Sequence, residues 1–73
     1  MKIVKIKTGF KLFGKIKWFK QKWYFRIEKN GNTLCHSEKY ANYGDMVHAI
    51  QIIQKEIPNA EIIDIIELQN RLS

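Results

Sequence analysis

Cysteine and long apolar runs are what this chain most clearly lacks. Its 73 residues include one cysteine, Cys35, so no internal disulfide can form. Small secreted domains usually depend on such cross-links, so we expect a reducing, cytoplasmic location. No apolar run approaches the ~20 residues that a membrane-spanning helix needs, and the first ten residues have no signal-peptide core. We therefore expect a protein with no membrane association.

Acidic residues are scarce in the first thirty positions, where Glu28 stands alone against ten lysines and arginines. The rest of the chain holds three basic and six acidic residues, so the two parts carry +9 and −3, which gives the net +6. This asymmetry indicates an anionic partner, or two copies that pack with complementary charge. A lysine face that is merely solvated explains the charge equally well.

Hydrophobic residues make up 45% of the chain and nine residues are aromatic, so one folded domain spanning 1–73 is expected. Alternation of apolar and polar residues predicts strands in the first half. The predicted segments are a short edge strand at 3–7, a loop at 8–14, a strand at 15–20, a turn at Gln21-Lys22 and a strand at 23–29. Asn30-Gly31 predicts a type I′ hairpin turn, since both positions need positive φ. A strand at 33–37 then completes a three-stranded antiparallel meander.

The periodicity changes after residue 42. Asn42 is a good N-cap residue, with Asp45 three positions later. A helix over 43–57 is predicted by an apolar stripe made of Met46, Ile50, Ile53 and Ile57. Pro58 ends that helix. Residues 60–67 predict a last strand whose isoleucines lie on both faces, which requires cover on both sides or a central place in a sheet. That strand either returns to its own sheet or joins the sheet of another copy.

The sequence contains only weak matches to phosphate-binding, metal-binding and catalytic motifs. Gly9 to Lys15 matches the spacing of a phosphate-binding loop, but Ile16 follows where serine or threonine would hold magnesium. Cys35 and His36 are adjacent on a predicted strand, so their side chains point to opposite faces. They therefore cannot bind one metal ion together or act as a nucleophile and its base. His48 is predicted to be exposed. No paired carboxylates stand out. We therefore expect no enzyme activity, no metal and no cofactor.

Residues 14–19 look like the first strand of a cold-shock domain, a barrel that stacks bases on aromatic side chains. The glycine-phenylalanine-glycine-phenylalanine run of that family is missing, since residues 23–26 read Trp-Tyr-Phe-Arg. The predicted helix also has no place in that barrel. The chain is therefore not expected to be a cold-shock domain.

A broader resemblance covers residues 16–66. The matching features are the run at 23–27, the Asn30-Gly31 turn, Ser37-Glu38 with Tyr40, and parts of the helix and last strand. In these features the chain is similar to the YegP-like family of small domains of unknown function. The resemblance implies a unit of three strands, a helix and a strand at 15–67. It also implies a homodimer that exchanges strand 60–67, giving one continuous sheet with the helices on one face. Residues 1–14 then become an N-terminal extension and 68–73 a tail.

Basic and aromatic residues interleave in the predicted meander, which is typical of nucleic-acid-binding sheets. We expect Trp23, Phe25 and Ile27 to face the helix and Tyr24 and Arg26 to lie on the opposite face. The candidate nucleic-acid-binding residues are Lys15, Lys17, Phe19, Lys20, Lys22, Tyr24, Arg26 and Tyr40. The alternative is a regulatory module that docks on an acidic partner protein through the same charge.

Overall fold

The computed structural model describes residues 1–70, in which one helix lies on a four-stranded sheet. In chain order the elements are β1 (Lys2–Leu12), β2 (Lys15–Lys29), β3 (Asn32–His36), α1 (Tyr43–Glu56) and β4 (Glu61–Asn70). The strand order is β3-β2-β1-β4. β2 runs antiparallel to both β1 and β3, whereas β4 runs parallel to β1. The predicted α+β class is therefore confirmed, but the sheet is mixed and is not a simple meander.

β1 is a central strand of the sheet, so the strand predicted at 3–7 is confirmed but its placement at an edge is wrong, and the loop predicted at 8–14 is reduced to the turn at 13–14. Gly9 lies inside the strand, where a Cβ atom would come within 2.7 Å of both the Lys17 carbonyl oxygen and the Trp18 ring. Glycine at this position permits a close approach of β2 and does not mark a loop. Residues 2–12 are consequently integral to the sheet.

β2 is one strand of 15 residues, so the predicted turn at Gln21-Lys22 is wrong. Lys7 pairs with Trp23 and Gly9 pairs with Trp18, which leaves residues 19–22 opposite Thr8 alone. The polar pair therefore belongs to a large bulge, in which four residues of β2 lie opposite one residue of β1. Thr8 is buried at this bulge and its hydroxyl donates a hydrogen bond to the Lys22 carbonyl oxygen over 3.2 Å.

Both hairpin turns contain a pair of residues with positive φ. Asn30 and Gly31 have φ of 53° and 80°, which confirms the predicted type I′ turn between β2 and β3. Phe13 and Gly14 have φ of 51° and 77° and join β1 to β2 in the same way. Phenylalanine rarely adopts this conformation, so the sequence does not reveal the second turn.

The core lies between the sheet and α1. Ile3 and Phe25 from the sheet meet Met46 and Ile50 from the helix, and all four are buried. The rest of the predicted stripe, together with Trp23 and Ile27, packs around this cluster. Both the apolar helix stripe and the predicted core face of β2 are therefore confirmed.

The helix also begins and ends where the sequence predicts. Asn42 is the N-cap, but its side chain makes no capping bond to the backbone and instead donates to the Asp45 carboxylate over 3.5 Å. Ile57 closes the helix by donating its N–H to the Ile53 carbonyl oxygen over 3.1 Å. Pro58 follows and cannot continue the ladder.

β4 lies at the edge of the sheet and begins within one residue of the predicted strand, but continues to Asn70. Residues 68–70 therefore belong to this strand and not to a tail, while 71–73 lie outside the described residues. Ile62 and Ile66 are exposed, so the predicted cover on both faces is wrong for this chain alone. Exchange of β4 between two subunits stays a prediction. No helix in the described part of the chain is long and apolar enough to span a bilayer.

Candidate binding surfaces on the two faces of the sheet

α1 covers one face of the sheet and only part of its length. Side chains alternate between faces along β1, so Ile3 faces the helix and its neighbour Val4 lies on what we call the open face. The hairpin formed by β1 and β2 continues past the bulge, and its residues 9–20 are called here the distal hairpin. Phe13, Ile16 and Trp18 in this region are all exposed. The remaining, helix-covered part of the sheet is called the proximal half.

Tyr24 and Arg26 lie on the open face as predicted, and both have partners within the chain. The Tyr24 hydroxyl donates a hydrogen bond to the Glu67 carboxylate over 3.2 Å, and Arg26 forms an ion pair with Glu28. Burial, reinforced by Glu67, raises the pKa of Tyr24 above its ordinary value. These contacts engage the groups that would stack on a base or bind a phosphate.

The proximal open face is also closed to a ligand by packing. Ile6 is paired with Tyr24 and Val4 with Arg26, and both aliphatic side chains are buried although α1 lies on the other face of the sheet. The larger side chains of the flanking strands must therefore shield them from water. Tyr24 and Arg26 act here as cover for the central strand.

The open face of the distal hairpin is different because its cations lie beside aromatic rings. Lys17 pairs with Phe10, and the Phe10 and Phe19 rings are 5.4 Å apart between centroids with a 42° tilt. Lys39 reaches the same place, with its ammonium 5.8 Å from the Phe19 centroid. Phe19 and Lys39, with Lys20, Gln21 and Gln69, line a shallow depression of about 470 Å³.

The lysines of this surface are not neutralised by the chain. Within residues 1–69 the ion pairs join Lys5 to Asp64 and Arg26 to Glu28. No described carboxylate oxygen lies within 4 Å of the ammonium groups of Lys15, Lys17 or Lys20. Their charge is therefore available to an external anion.

The eight candidate residues thus divide into three groups. Lys15, Lys17, Phe19 and Lys20 share the distal open face, with Lys22 in the adjoining bulge. Tyr24 and Arg26 lie on the proximal open face. Tyr40 is on the other side of the sheet, where its backbone pairs with that of Trp23 and its ring packs against the core.

The bulge creates a second surface, on the helix side, that the sequence did not reveal. Residues 18 and 23 are separated by an odd number of positions and would lie on opposite faces of a regular strand. The bulge reverses the alternation, and the Lys7 ammonium lies 3.9 Å from the Trp18 centroid and 5.1 Å from the Trp23 centroid. Both indoles therefore flank one lysine.

Lys5 lies beside Lys7 on this helix-side surface and is paired. Its ammonium donates a hydrogen bond to the Tyr43 hydroxyl over 2.9 Å and is 3.1 Å from the Asp64 carboxylate. The hydrogen bond to Tyr43, together with Asp64, raises the pKa of Lys5. The Tyr43 ring in turn meets Trp23 edge to face, with centroids 4.8 Å apart.

The residues considered for metal or thiol chemistry are dispersed. Cys35 pairs with Ile27 and His36 with Arg26, which places the two side chains on opposite faces. His48 is exposed on α1. Among the described residues, no three His, Cys, Asp or Glu side chains converge as a metal site requires.

Comparison with known families classifies the chain. The family DUF1508, described as a domain of unknown function, matches residues 20–64, which is more than half of the chain. The chain belongs to the DUF1508 family. This confirms the resemblance to YegP-like proteins, which are the same family. The DUF1508 match begins at Lys20, so it leaves out β1 and almost the whole distal hairpin. No curated protein and no solved structure matches the chain significantly.

Proposed function

We propose that this DUF1508 protein is a non-enzymatic binding protein that holds single-stranded nucleic acid on the open face of its distal hairpin. The observation that carries the proposal is the set of lysines without carboxylate partners beside the Phe10–Phe19 pair. The proximal open face is a poorer site, because Tyr24 and Arg26 are engaged by acidic side chains of the same chain.

The physical basis is phosphate neutralisation combined with stacking. Lys15, Lys17 and Lys20 would each neutralise a phosphate and release condensed counterions, which makes binding strongly dependent on salt. The Phe10 and Phe19 rings, which contact each other, would place aromatic surface beside the phosphate contacts, where a base of any identity could add to the cluster. Such a site selects single strands over duplex, since paired bases cannot reach these rings.

The test is a salt titration with a fluorescent oligothymidylate, measured by anisotropy between ~50 and ~200 mM NaCl. A Lys15→Gln/Lys17→Gln/Lys20→Gln variant should lower the slope of log K against log salt by about 2, at ~0.7 per lost phosphate contact. The matched control, Lys2→Gln/Lys29→Gln/Lys55→Gln, removes the same charge elsewhere and should change the slope far less. Equal losses in both variants, or no binding at ~50 mM salt, would overturn the proposal.

A protein partner is the second candidate function. The observation that favours it is the exposure of Ile66 and Leu68, which continue the helix-side face of β4 beyond α1. A regulatory module of this kind would use its positive charge to speed association with an acidic protein. Pull-downs from lysate with and without nuclease separate the candidates, because capture that survives nuclease favours the protein partner.

We also propose a homodimer in which β4 is exchanged. β4 is a ten-residue edge strand with exposed isoleucines, and such edges favour pairing with another chain. In the exchanged form β4 would make the same parallel pairs with β1 of the other copy, with the segment at 57–60 as the hinge. Sedimentation should give twice the 8.7 kDa chain mass at micromolar concentration; a stable monomer would contradict exchange.

A cytoplasmic location is proposed on the basis of Cys35. This thiol is free and exposed, and reducing compartments preserve such groups. Mass spectrometry after rapid alkylation in cells should find Cys35 reduced. A predominantly oxidised thiol would argue for another compartment.

A further inference from the structure

A cleft of about 610 Å³ opens on the helix side of the sheet, beside the first residue of α1. Its walls come from β1, β2, β4 and Tyr43, and the side chains used below are Lys5, Lys7, Trp23, Tyr43, Asp64 and Ile66. Trp18 flanks the cleft beyond Lys7. The volume falls within the ~300–1,000 Å³ range of small-molecule sites.

The charges in the cleft sum to one positive charge without a counterion. Lys5 is neutralised by Asp64, 3.1 Å away. Lys7 lies against two indole rings, and no carboxylate oxygen of residues 1–69 is within 4 Å of its ammonium. Cation–π contacts hold the ammonium in place without cancelling its charge. Lys7 is therefore positioned to receive an anion.

The walls of the cleft are aromatic and apolar. Trp23 and Tyr43 meet edge to face, and Ile66 is 64% exposed at the mouth of the cleft. A planar ring could lie against these surfaces and remove them from water. Ring and anion would be bound a few ångströms apart, because the Lys7 ammonium is 5.1 Å from the Trp23 centroid.

From this juxtaposition we propose that the cleft binds a small planar aromatic molecule that carries one carboxylate. The ring packs on Trp23, Tyr43 and Ile66, which line the cleft, and the carboxylate accepts a hydrogen bond from the Lys7 ammonium. A single negative charge matches the single uncompensated cation, whereas the Asp64 carboxylate repels a second one. The inference is independent of the nucleic-acid proposal, since the cleft lies on the opposite face of the sheet.

Intrinsic fluorescence tests the proposal directly, because Trp18 and Trp23 are the two tryptophans of the chain and both flank the site. Phenylacetate is the probe, since it does not absorb at the excitation wavelength for tryptophan. Acetate supplies the charge without the ring, and 2-phenylethanol supplies the ring without the charge. Phenylacetate should give a saturable change, with both comparators binding at least about tenfold more weakly.

Variants of two lysines on the same face of β1 sharpen the test. Lys7→Gln should weaken phenylacetate binding about tenfold and remove its advantage over 2-phenylethanol, while Lys7→Arg should retain it. Lys11→Gln removes the same charge outside the cleft and should bind as the unmodified protein does. Equal loss in Lys7→Gln and Lys11→Gln would overturn the assignment of Lys7.

A second measurement uses the unmodified protein and does not depend on the folding of a variant. In a ¹⁵N-labelled sample the two indole N–H signals should move with phenylacetate and stay still with acetate. The proposal fails if neither signal moves up to the solubility limit. It also fails if tryptophan emission changes with protein concentration and not with phenylacetate, because a second copy of the chain would then occupy the cleft.

Discussion

The proximal and distal parts of the sheet are made from the same strands but have different surroundings. In the proximal half, Ile3 and Phe25 are buried under α1, and Tyr24 and Arg26 on the other face have acidic partners. In the distal hairpin, Trp18 is exposed and lysines such as Lys17 have no carboxylate nearby among residues 1–69.

The difference between these regions separates residues that stabilise the fold from those available for binding. A helix of 14 residues is about 21 Å long at 1.5 Å per residue, whereas the molecule extends 43 Å in its longest dimension. α1 therefore cannot cover the whole sheet. One proposed binding surface lies on the uncovered distal hairpin, and the other is the cleft beside Tyr43, at the first residue of α1.

The largest expected effect comes from truncating one isoleucine that α1 covers and a matched one that α1 leaves exposed. Ile3 is fully buried and Ile66 is 64% exposed, and both lie on the helix side of the sheet. Ile3→Ala should cost about 2–5 kcal/mol of unfolding free energy because it leaves a cavity. Ile66→Ala should cost less than ~1 kcal/mol. Urea denaturation followed by circular dichroism measures both, and similar losses would contradict the division of the sheet.

Two glycine substitutions should change the stability of the fold by smaller amounts and in opposite directions. A Cβ at Gly9 would clash with the Lys17 carbonyl oxygen and the Trp18 ring, whereas one at Gly44 meets nothing within 4 Å. Gly9→Ala should cost about 1–3 kcal/mol through overpacking. Gly44→Ala should stabilise α1 by roughly 0.4–1 kcal/mol. Thermal melts of the two variants should move in opposite directions, and an unchanged melt for Gly9→Ala would argue against the close approach of β2.

The smallest expected effect is a pH dependence on the proximal open face. Burial and Glu67 raise the pKa of Tyr24 above 10.0, so the folded chain holds this proton more tightly than the unfolded chain. The resulting stabilisation is complete below pH ~10 and is lost as pH rises through the folded pKa. The phenylalanine in the Tyr24→Phe variant cannot ionise. Between pH 9 and pH 11, the urea midpoint of this variant should therefore fall less than that of the unmodified protein. Identical pH slopes would show that Tyr24 is not shielded.

Local patterns in the sequence predicted the proximal half well. The stripe from Met46 to Ile57, the Asn30-Gly31 turn and the alternation of residues 23–28 each reflect a short-range rule of helix, turn or strand geometry. The structure confirms all three. The division of Tyr24 and Phe25 between open and core faces follows from the same alternation.

The distal hairpin was harder to predict because its features depend on contacts between strands. Considered from the local sequence alone, Gly9 indicates a loop. It is instead a strand residue, because Trp18 packs on it. The bulge at residues 19–22 is visible only in the pairing of β1 with β2, and no local pattern placed both indoles beside Lys7. β1 became central only through its parallel pairing with β4, which is 50 or more residues away in the chain.

The most direct test of the central claim is a ¹⁵N-labelled titration with oligothymidylate at low salt. The account predicts that the largest amide shifts fall in the distal hairpin and its bulge, at Phe10, Lys17, Phe19 and Lys20, with small shifts at Tyr24 and Arg26. Shifts concentrated on the proximal open face, or spread evenly over every lysine of the surface, would contradict it.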